Sequence, residues 1–521
     1  MSPAASVTAL GNVASLRYVV PEIALALAPL LILAWDLFVP KAHPRARVAG
    51  VFTIALTALG VAALLSFLAL VGAPRLPPLP ALLFGGQLAC DGFACGFRLL
   101  FALVTAFVLV AAIPTREAAV EANGRGGSGA EFVALVLVVC LGMNLMAMAQ
   151  SLLLVYLAIE MVSVVSFVLV GFRPRESRSH EAALKYVVYG GVASGVMAYG
   201  MSWLFGLARS LSLPDISERA LAMTRDQGHL PTALAIGVAC VTAGFAYKIA
   251  AVPFHMWAPD VYEGGPTLVS AFLSVGPKAA GFAVLLRVFR EAFFAGTPLP
   301  EAEAPWPILA GVLAVATMTL GNLSALGQSN LKRILAYSSI AHSGTMLLAF
   351  SLFDDEGIAA IAFYLVAYAA MNLGAFLAVF AVSEAIGDET VEGIRGLGSR
   401  APGMAAALTI FLFSLVGLPP FAGFVGKLYV FVALLRAPGD YRAWYAFLAA
   451  AGAINTALSL FYYARILRAM YLLPVAEEGR PVSVRPLHAV MTALLVAPTL
   501  LLGVWWGPLY DFLSRTVTMI P

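Results

Sequence analysis

Residues 245–266 read FAYKIAAVPFHMWAPDVYEGGP and follow the apolar run TALAIGVACVTAG at 232–244. Lys248 lies near the end of this apolar stretch, five residues before Pro253. A proline inside a helix removes a backbone hydrogen bond and kinks or breaks the helix. The sequence therefore places a positive charge beside a predicted helix interruption, in a segment that is otherwise apolar.

The composition indicates a membrane protein. Of the 521 residues, 61% are hydrophobic and 11% are charged, and the mean hydropathy is +0.92. Soluble domains carry about 25% charged residues, so the chain is predicted to cross a lipid bilayer many times. The net charge is only +3, which gives no basis for nucleic-acid binding.

Fourteen apolar segments are long enough to be membrane-spanning helices, which need about 20 residues each. They predict an all-α polytopic protein with a single membrane domain. Proline and glycine interrupt the seventh segment at AAVPF and the twelfth at VGLPPFAGF, so helices 7 and 12 are expected to be discontinuous, near Ala250–Pro253 and Gly417–Gly423. The fourteen segments are 18–38, 47–71, 93–113, 130–149, 151–172, 183–208, 232–262, 266–293, 306–326, 330–352, 357–384, 402–435, 441–470 and 487–514.

The distribution of charge predicts the orientation of these spans. Lysine and arginine are more numerous in the loops that follow odd-numbered spans than on the opposite side. Cytoplasmic loops carry the excess of positive charge, and an even number of spans leaves both termini on one side. Both termini are therefore predicted to face outward. The N-terminal stretch lacks a basic region and a clear cleavage site, so we interpret it as a retained tail and not as a signal peptide.

Segments five and ten resemble each other weakly. The fifth reads LVYLAIEMVSVVSF and the tenth reads LAYSSIAHSGTMLL, and each places a titratable residue four or five positions after a tyrosine. The two interrupted segments are also five spans apart, and an offset of five reverses the orientation in the membrane. This pattern predicts two five-helix inverted repeats, at 130–295 and 305–470, with three N-terminal helices in 18–113 and a C-terminal helix at 487–514.

Four charged residues fall inside predicted spans: Glu160 in the fifth, Lys248 in the seventh, Lys278 in the eighth and Lys427 in the twelfth. A charge at the membrane centre costs about 2.5–3.5 kcal/mol on insertion scales, so partners or water must offset that cost. Desolvation disfavours the charged form of a lysine, so a buried amine can carry and release a proton. Structural ion pairing is the alternative. Two lysines beside helix breaks favour ion transfer, because discontinuous helices mark ion sites in transporters.

The remaining candidate residues have open interpretations. His342 lies in the middle of segment ten and is either a hydrogen-bonded packing residue or a proton relay. His255 is either a surface anchor or part of an inner proton entry. Lys185 and Arg98 lie near helix ends, where their long side chains can reach outward. The acids Asp260 and Glu263 are expected at the surface near that entry. Cys90 and Cys95 are close in sequence, but no Cys or His residues follow at a spacing that would support a disulfide or a metal site.

Three stretches carry a family resemblance: YKIAAVPFHMWAPDVYEGGPTLVSAFLSVGPKAAGFA at 247–283, LKRILAYSSIAHSG at 331–344 and GLPPFAGFVGK at 417–427. They closely resemble the subunit N family of bacterial NADH–quinone oxidoreductases, also called respiratory complex I. The resemblance extends over nearly the whole chain. It implies an antiporter-like, proton-translocating subunit with fourteen helices, of which helices 7 and 12 are discontinuous.

The resemblance also implies roles for individual residues. The family uses a glutamate in helix 5 and lysines in helices 7, 8 and 12, which match Glu160, Lys248, Lys278 and Lys427. His342 occupies the family's titratable position in helix 10. In this interpretation Lys248 is the switching base, tuned by its distance from Glu160. Lys278 and His342 relay protons from the inner side, and Lys427 serves the exit.

The same resemblance implies the setting of the subunit. The chain would lie in the bacterial inner membrane beside other membrane subunits of the complex, with both termini in the periplasm. FMN, iron–sulfur clusters and the quinone site are expected in other subunits, with no cofactor in this chain. The alternatives are a subunit of a multisubunit sodium/proton antiporter, a haem- or quinone-binding electron carrier, and a purely structural membrane scaffold.

Overall fold

The computed structural model describes residues 9–40, 42–73, 78–113, 129–173, 175–227, 231–294, 306–437, 439, 441–475 and 482–517. The first eight residues of the predicted N-terminal tail lie outside these ranges. So do residues 295–305, which include the last residue of the first predicted repeat and the first residue of the second. Apart from one short hairpin, the secondary structure described is helical.

Eighteen helices of eight residues or more form the described part of the fold, and we number them in chain order. They are α1 Val20–Phe38, α2 Pro44–Leu70, α3 Gly92–Ala112, α4 Ala130–Met148, α5 Leu152–Val170, α6 Ser177–Ala208, α7 Leu213–Gln227, α8 Thr232–Lys248, α9 Trp257–Gly264, α10 Thr267–Phe289, α11 Trp306–Leu326, α12 Leu331–Phe350, α13 Asp355–Ile386, α14 Pro402–Val416, α15 Ala422–Arg436, α16 Arg442–Tyr471, α17 Pro486–Val504 and α18 Gly507–Val517. Single helical turns occur at Asn12–Ser15 and Leu397–Arg400.

Eleven helices among the described residues are long and apolar enough to cross a membrane. Two of them, α10 and α13, form the centre of the bundle. The most apolar part of α10 is entirely buried by its neighbours, and that of α13 is 94% buried. The other spanning helices surround this pair and expose apolar side chains on their outer faces, such as Leu157 on α5 and Val192 on α6. This distribution suits a protein whose outer surface meets lipid.

The two predicted helix interruptions are present. Helix α8 ends at Lys248 and α9 begins only at Trp257, while α14 ends at Val416 and α15 begins at Ala422. Ala250 has a φ of 57° in the first interruption, and Gly417 has a φ of 89° in the second. Left-handed backbone at these positions cannot continue a right-handed helix, and the prolines that follow lack the N–H that a continuing helix needs.

Neighbouring helices bind the backbone that the first interruption frees. The hydroxyl of Ser343 donates to the carbonyl of Ile249 at 2.7 Å, and the amide of Val252 donates to Thr317 Oγ1 at 3.0 Å. Such partners are needed because an unpaired backbone group within a membrane costs several kcal/mol. The interruption is therefore held by α11 and α12.

The second interruption is closed mainly from within its own span. The amide of Gly423 donates to Ser414 Oγ at 3.0 Å, and the amine of Lys427 donates to the carbonyls of Leu415 and Val416 at 3.2 and 2.8 Å. The last carbonyls of α14 thus receive an amine, and the charged form of that amine suits the negative end of a helix dipole.

Three features of the fold differ from the prediction or were not predicted. The fourteenth segment, expected as one helix over 487–514, is divided into α17 and α18 at Trp505 and Trp506, just before Pro508. Helix α7 is amphipathic and too polar to register in a search for apolar spans. A hairpin pairs Ala81–Leu83 with Leu88–Cys90, in strands too short to give a clear alternating pattern.

Two arginines, Arg98 and Arg287, are buried in the bundle. Arg98 was predicted to reach outward, but it is 2% exposed and its Nη2 lies 2.6 Å from Glu22 Oε2. Arg287 is fully buried and donates to both carboxylate oxygens of Asp91 at 2.9 and 2.8 Å. The carboxylates lie 76 and 196 positions away in sequence, so local spacing could not reveal these pairs.

Gly423 provides a test of the second interruption. A Cβ at this position would lie 1.8 Å from the carbonyl oxygen of Ser414, whereas a Cβ on Gly403 would meet nothing within 4 Å. Both glycines are the second residue of a half-helix. We expect Gly423→Ala to reduce the amount of folded, membrane-inserted protein severely, and Gly403→Ala to leave it unchanged, as measured by size-exclusion chromatography of detergent extracts. Equal yields of the two variants would contradict the close packing described.

The Asp91–Arg287 pair provides a second test. Removing one partner of a buried pair typically costs about 3–5 kcal/mol, because the remaining charge is left uncompensated. An exposed pair such as Glu392–Arg395 is worth about 0–1 kcal/mol. Asp91→Ala should therefore lower the temperature at which the purified protein aggregates far more than Glu392→Ala. Similar shifts in the two variants would show that the buried pair is not stabilising.

Candidate functional site

The predicted site residues lie on five different helices and come together in the interior of the bundle. Lys248, Lys278, His342 and Lys427 are 3%, 2%, 4% and 5% exposed, so all four are buried in the protein. Glu160 on α5 is only half-buried. All five side chains were predicted inside membrane spans. Four of them lie in the interior of the bundle, and Glu160 lies at its edge.

Lys248 is the last residue of α8, and its direct partner is a serine. Its Nζ donates to Ser163 Oγ at 3.0 Å. Glu160 lies three residues earlier on the same helix as Ser163, and it accepts a short hydrogen bond from Ser194 on α6. Among the described residues no ion pair of 4 Å or less joins Glu160 to Lys248. A serine hydroxyl is therefore the nearest polar link between the lysine and the turn that carries the glutamate.

A glycine on α10 makes room for Lys248. A Cβ at Gly281 would lie 3.2 Å from Lys248 Cγ and 2.9 Å from Ile249 Cγ2. Contacts this short would push the end of α8 away from α10. Gly281 therefore lets the end of the first half-helix lie directly against the central helix.

Lys278 lies one residue after Pro277 on α10 and is bound by α12. Its Nζ donates to the carbonyl of Ser339 at 2.6 Å and also contacts Ser339 Oγ. The hydroxyl of Tyr368 on α13 donates to the same Oγ at 2.9 Å, and the amine lies 5.9 Å from the centre of the Tyr368 ring. Ser339 thus joins a lysine and a tyrosine on the two central helices.

Ser343 connects the first helix interruption to this group. Its hydroxyl donates to the carbonyl of Ile249, next to Lys248, and also contacts the carbonyl of Ser339 at 3.2 Å. The two serines are one helical turn apart on α12. The surroundings of Lys248 and of Lys278 are therefore joined by a single turn of helix.

His342 lies on the same turn and faces the second interruption. Its Nδ1 is 2.7 Å from the hydroxyl of Tyr364, and its ring is 5.2 Å from the ring of Tyr368. His342 and Lys427 line one small polar cavity, which has about 10 Å³ of space for water centres. That is room for about one water molecule. The histidine and the lysine therefore border the same small polar space.

These polar groups follow one another through the interior, some in direct contact and others as neighbours, and we call them the central polar line. It extends from the end of α8, across α12 and the two central helices, to the second interruption. Its members are Ser163, Lys248, Ser343, Ser339, Lys278, Tyr368, His342, Tyr364 and Lys427.

The lysines of this line differ from the buried arginines in their partners. Within the described chain, none of Lys248, Lys278 and Lys427 has a carboxylate oxygen within 4 Å, whereas Arg98 and Arg287 are each paired with a carboxylate. The three lysines bind hydroxyls and carbonyls, which accept from the neutral and the charged amine alike. This arrangement does not fit the structural ion-pair interpretation.

A separate group of charges surrounds the far end of α9. Arg333 donates to Asp260 at 2.7 Å and to Glu263 at 2.9 Å, and Lys185 lies 2.8 Å from Asp260. Asp260 and Glu263 are therefore partly exposed members of an ion-pair network, and Lys185, 40% exposed, pairs with both Asp260 and Glu181.

His255 lies in the first interruption. It is 7% exposed, and its Nδ1 has no hydrogen-bond partner in the described part of the chain. The neighbouring Trp257 is also buried, stacks on Tyr186 and donates to the carbonyl of Tyr247. His255 and Trp257 are both too buried to act as surface anchors.

The serines and tyrosines of the line were not predicted from the sequence. Ser339, His342 and Ser343 are spaced three and four residues apart, and so are placed on one face of α12. Tyr364 and Tyr368 are likewise four apart. The stretch YSSIAHSG at 337–344 contains this helical spacing of polar residues. Ser338 has an equally suitable spacing, four residues before His342, but it binds Tyr463 and not the central polar line.

The described residues contain no group of three or more His, Cys, Asp or Glu side chains that could hold a metal ion. Cys90 and Cys95 are free thiols with their Sγ atoms 3.9 Å apart. Neither cysteine touches the central polar line.

Comparison with known proteins identifies the family. The family model described as "NADH:quinone oxidoreductase/Mrp antiporter, TM" matches residues 149–458. NADH-quinone oxidoreductase subunit N 2 of Sorangium cellulosum (strain So ce56) is 54% identical over 514 residues, covering 98% of this chain and 99% of that protein. Subunit N of Anaeromyxobacter sp. (strain Fw109-5) is 46% identical over 521 residues, covering 98% of each.

Solved structures show the same fold. A chain of respiratory complex I from Thermus thermophilus superposes with a TM-score of 0.74 at 29% identity, covering 94% of this chain and 98% of that one. A chain of the Mrp complex from Dietzia sp. DQ12-45-1b has a TM-score of 0.78 at 19% identity, with 97% of each chain covered, which is a likeness of fold alone. The chain therefore belongs to the NADH:quinone oxidoreductase/Mrp antiporter family of membrane proteins, and within that family to the subunit N proteins of NADH-quinone oxidoreductase.

Proposed function

We propose that this chain is a proton-translocating subunit in the membrane arm of NADH–quinone oxidoreductase, where it couples quinone reduction in other subunits to proton movement. The observation that carries the proposal is the set of three buried lysines bound only to hydroxyls and carbonyls. A site of this kind holds a proton without fixing it in an ion pair. The 54% identical subunit N relative supports the assignment to this complex.

The central polar line suits stepwise proton transfer. Serine and tyrosine hydroxyls both donate and accept hydrogen bonds, and a histidine ring has one nitrogen for each role. Lys278, with Ser339 and Tyr368, leads to His342, and one water in the cavity leads from His342 to Lys427. Lys278 and His342 pass protons from the inner side toward the centre, and Lys427 serves the exit side.

Lys248 is the switching base in this proposal. It ends α8, next to the backbone freed by the interruption, and its amine donates to the Ser163 hydroxyl. Glu160 lies about one turn from Ser163 on α5. It is half-buried, and so it can respond to charges outside this chain. When a negative charge approaches, the charged amine is favoured, and when it is drawn away, the amine releases its proton.

Fourteen spans with both termini outward complete the proposed topology. The eleven long apolar helices, α12 and the two interrupted pairs, α8 with α9 and α14 with α15, together supply fourteen. Residues 130–295 and 305–470 would be the two inverted repeats, each containing one interrupted helix. The bacterial inner membrane, with the termini in the periplasm, is the expected location.

The redox groups belong to other subunits in this proposal. FMN, the iron–sulfur clusters and the quinone site would be carried by partner chains, and the partners of this chain would be the adjacent membrane subunits and lipid. A sodium/proton antiporter subunit is the alternative from the same family. The assay below separates the two, because only the proposed function ties ion movement to NADH oxidation.

The first test concerns Lys248. Positioned proton-transfer groups contribute about 10²–10⁴-fold to a rate, so Lys248→Ala should lower proton pumping at least about tenfold while the complex still assembles. Lys248→Arg should not restore pumping, because guanidinium stays protonated. Glu160→Gln should be milder, since the lysine remains. Proton uptake and NADH–quinone turnover in inverted membrane vesicles, normalised to assembled complex, measure these effects.

The control for Lys248 is Arg395→Ala, which removes an exposed cation paired only within its own turn and should leave pumping unchanged. Full pumping by an assembled Lys248→Ala complex would reduce this lysine to a structural charge. Sodium uptake that continues without NADH oxidation would instead favour the antiporter alternative.

The second test compares two adjacent serines on α12. Ser339→Ala removes the hydroxyl between Lys278 and Tyr368, and one hydrogen bond of about 0.5–1.5 kcal/mol corresponds to pumping roughly two- to tenfold slower. Ser338→Ala also removes a buried hydroxyl bound to a tyrosine, but it lies off the central polar line. Its pumping rate per assembled complex should equal that of the unmodified protein. Equal rates in the two variants would exclude Ser339 from the proton path.

A further inference from the structure

An apolar cavity of about 300 Å³ lies beside the first helix interruption, between α8, α10, α11 and α12. Ile249, Ala251 and Phe254 of the interruption line it, and so do Trp306 at the start of α11 and Phe353 just past the end of α12. The cavity therefore reaches from one end of the bundle to the backbone next to Lys248. It shares no lining side chain with the central polar line.

The chemistry of the walls selects a hydrocarbon occupant. Thr242 is the one hydroxyl-bearing residue in the lining, and its Oγ1 already donates to the carbonyl of Val238 at 2.7 Å. An apolar cavity of about 150 Å³ stays dry and takes up apolar ligands, and this one is twice as large. Water would find no partners along most of its length.

The opening of the cavity faces the side where lipid is expected. Leu309 and Val312 of α11 line it and are 52% and 51% exposed. Apolar side chains half exposed on a membrane-spanning helix contact acyl chains. Trp306 lies at the end of the same helix, and tryptophan is enriched where a bilayer meets water.

The length of the cavity matches one leaflet. From Ala239 to Ile249 its wall follows ten residues, or about 15 Å at the helical rise of about 1.5 Å per residue. The hydrocarbon core of a bilayer is about 30 Å thick, so one leaflet is about 15 Å deep. A chain entering at Trp306 would end near mid-membrane, against the interruption.

We propose that this cavity is a binding site for one acyl chain of a membrane phospholipid. The chain packs against Ile249, whose carbonyl accepts the hydrogen bond from Ser343. By filling the space beside the interruption, it holds the end of α8 against α12. Lipid is thus part of the support of the first interrupted helix.

A photoactivatable phospholipid, with a diazirine in its acyl chain, tests this site in vesicles containing the protein in its native assembly. Peptide mapping should find strong labelling within 239–254 and 306–313. Ala243→Phe and Ala310→Phe place a ring in the cavity, since both alanines line it and are at least nine-tenths buried. Each should lower this labelling several-fold. Val192→Phe, on the 65% exposed outer face of α6, should not change it.

Two results would overturn the proposal. One is labelling of the cavity that no variant reduces, or that is no stronger than labelling of the outer face of α6. The other is preferential labelling by a photoactivatable quinone with an isoprenoid tail, which would make the quinone the occupant. Ala310→Leu fills less of the cavity and serves as the test variant if either phenylalanine prevents assembly.

Discussion

The whole arrangement depends on one constraint: an amine placed in an apolar bundle must find acceptors there. Regular helices offer few, because their carbonyls already accept internal hydrogen bonds and have only one further lone pair each. The interrupted helices release carbonyls at depth, and Lys427 binds two of them at the end of α14. Lys248 itself ends a half-helix, and Lys278 finds the carbonyl and hydroxyl of Ser339. The interruptions and the buried lysines are therefore parts of one design.

Buried charges in this protein follow two different rules. Arg287 is fully buried with a bidentate carboxylate, and such a pair cannot be separated without a large cost. Lys248, Lys278 and Lys427 have only neutral partners, which tolerate either protonation state of the amine, whereas the buried Lys332 lies 2.9 Å from a carboxylate oxygen of Glu389. Arginine stays protonated while lysine can lose its proton, so lysine suits the three positions with neutral partners. Burial alone therefore does not distinguish these three lysines, and their partners do.

The sequence predicted those parts of the structure that depend on local pattern. Proline and glycine located both interruptions, and the cost of charge in an apolar segment singled out Lys248, Lys278 and Lys427. It did not reveal the acids that bury Arg98 and Arg287, because those partners are far away along the chain. Nor did it distinguish Ser339 from Ser338, since only the packing of α12 decides which hydroxyl faces the centre. Helix α7 was missed because an amphipathic helix is not an apolar span.

Helix α12 is the element that relates the two interruptions to each other. Ser343 binds the backbone of the first interruption, Ser339 binds Lys278, and His342 shares a cavity with Lys427 beside the second. These three residues lie within about one helical turn, a rise of roughly 6 Å, and a turn of packed helix moves as a unit. A displacement of α12 as a rigid unit would act on the contact with Ile249 and on the cavity between His342 and Lys427 together. One turn of α12 therefore contacts the surroundings of both interruptions.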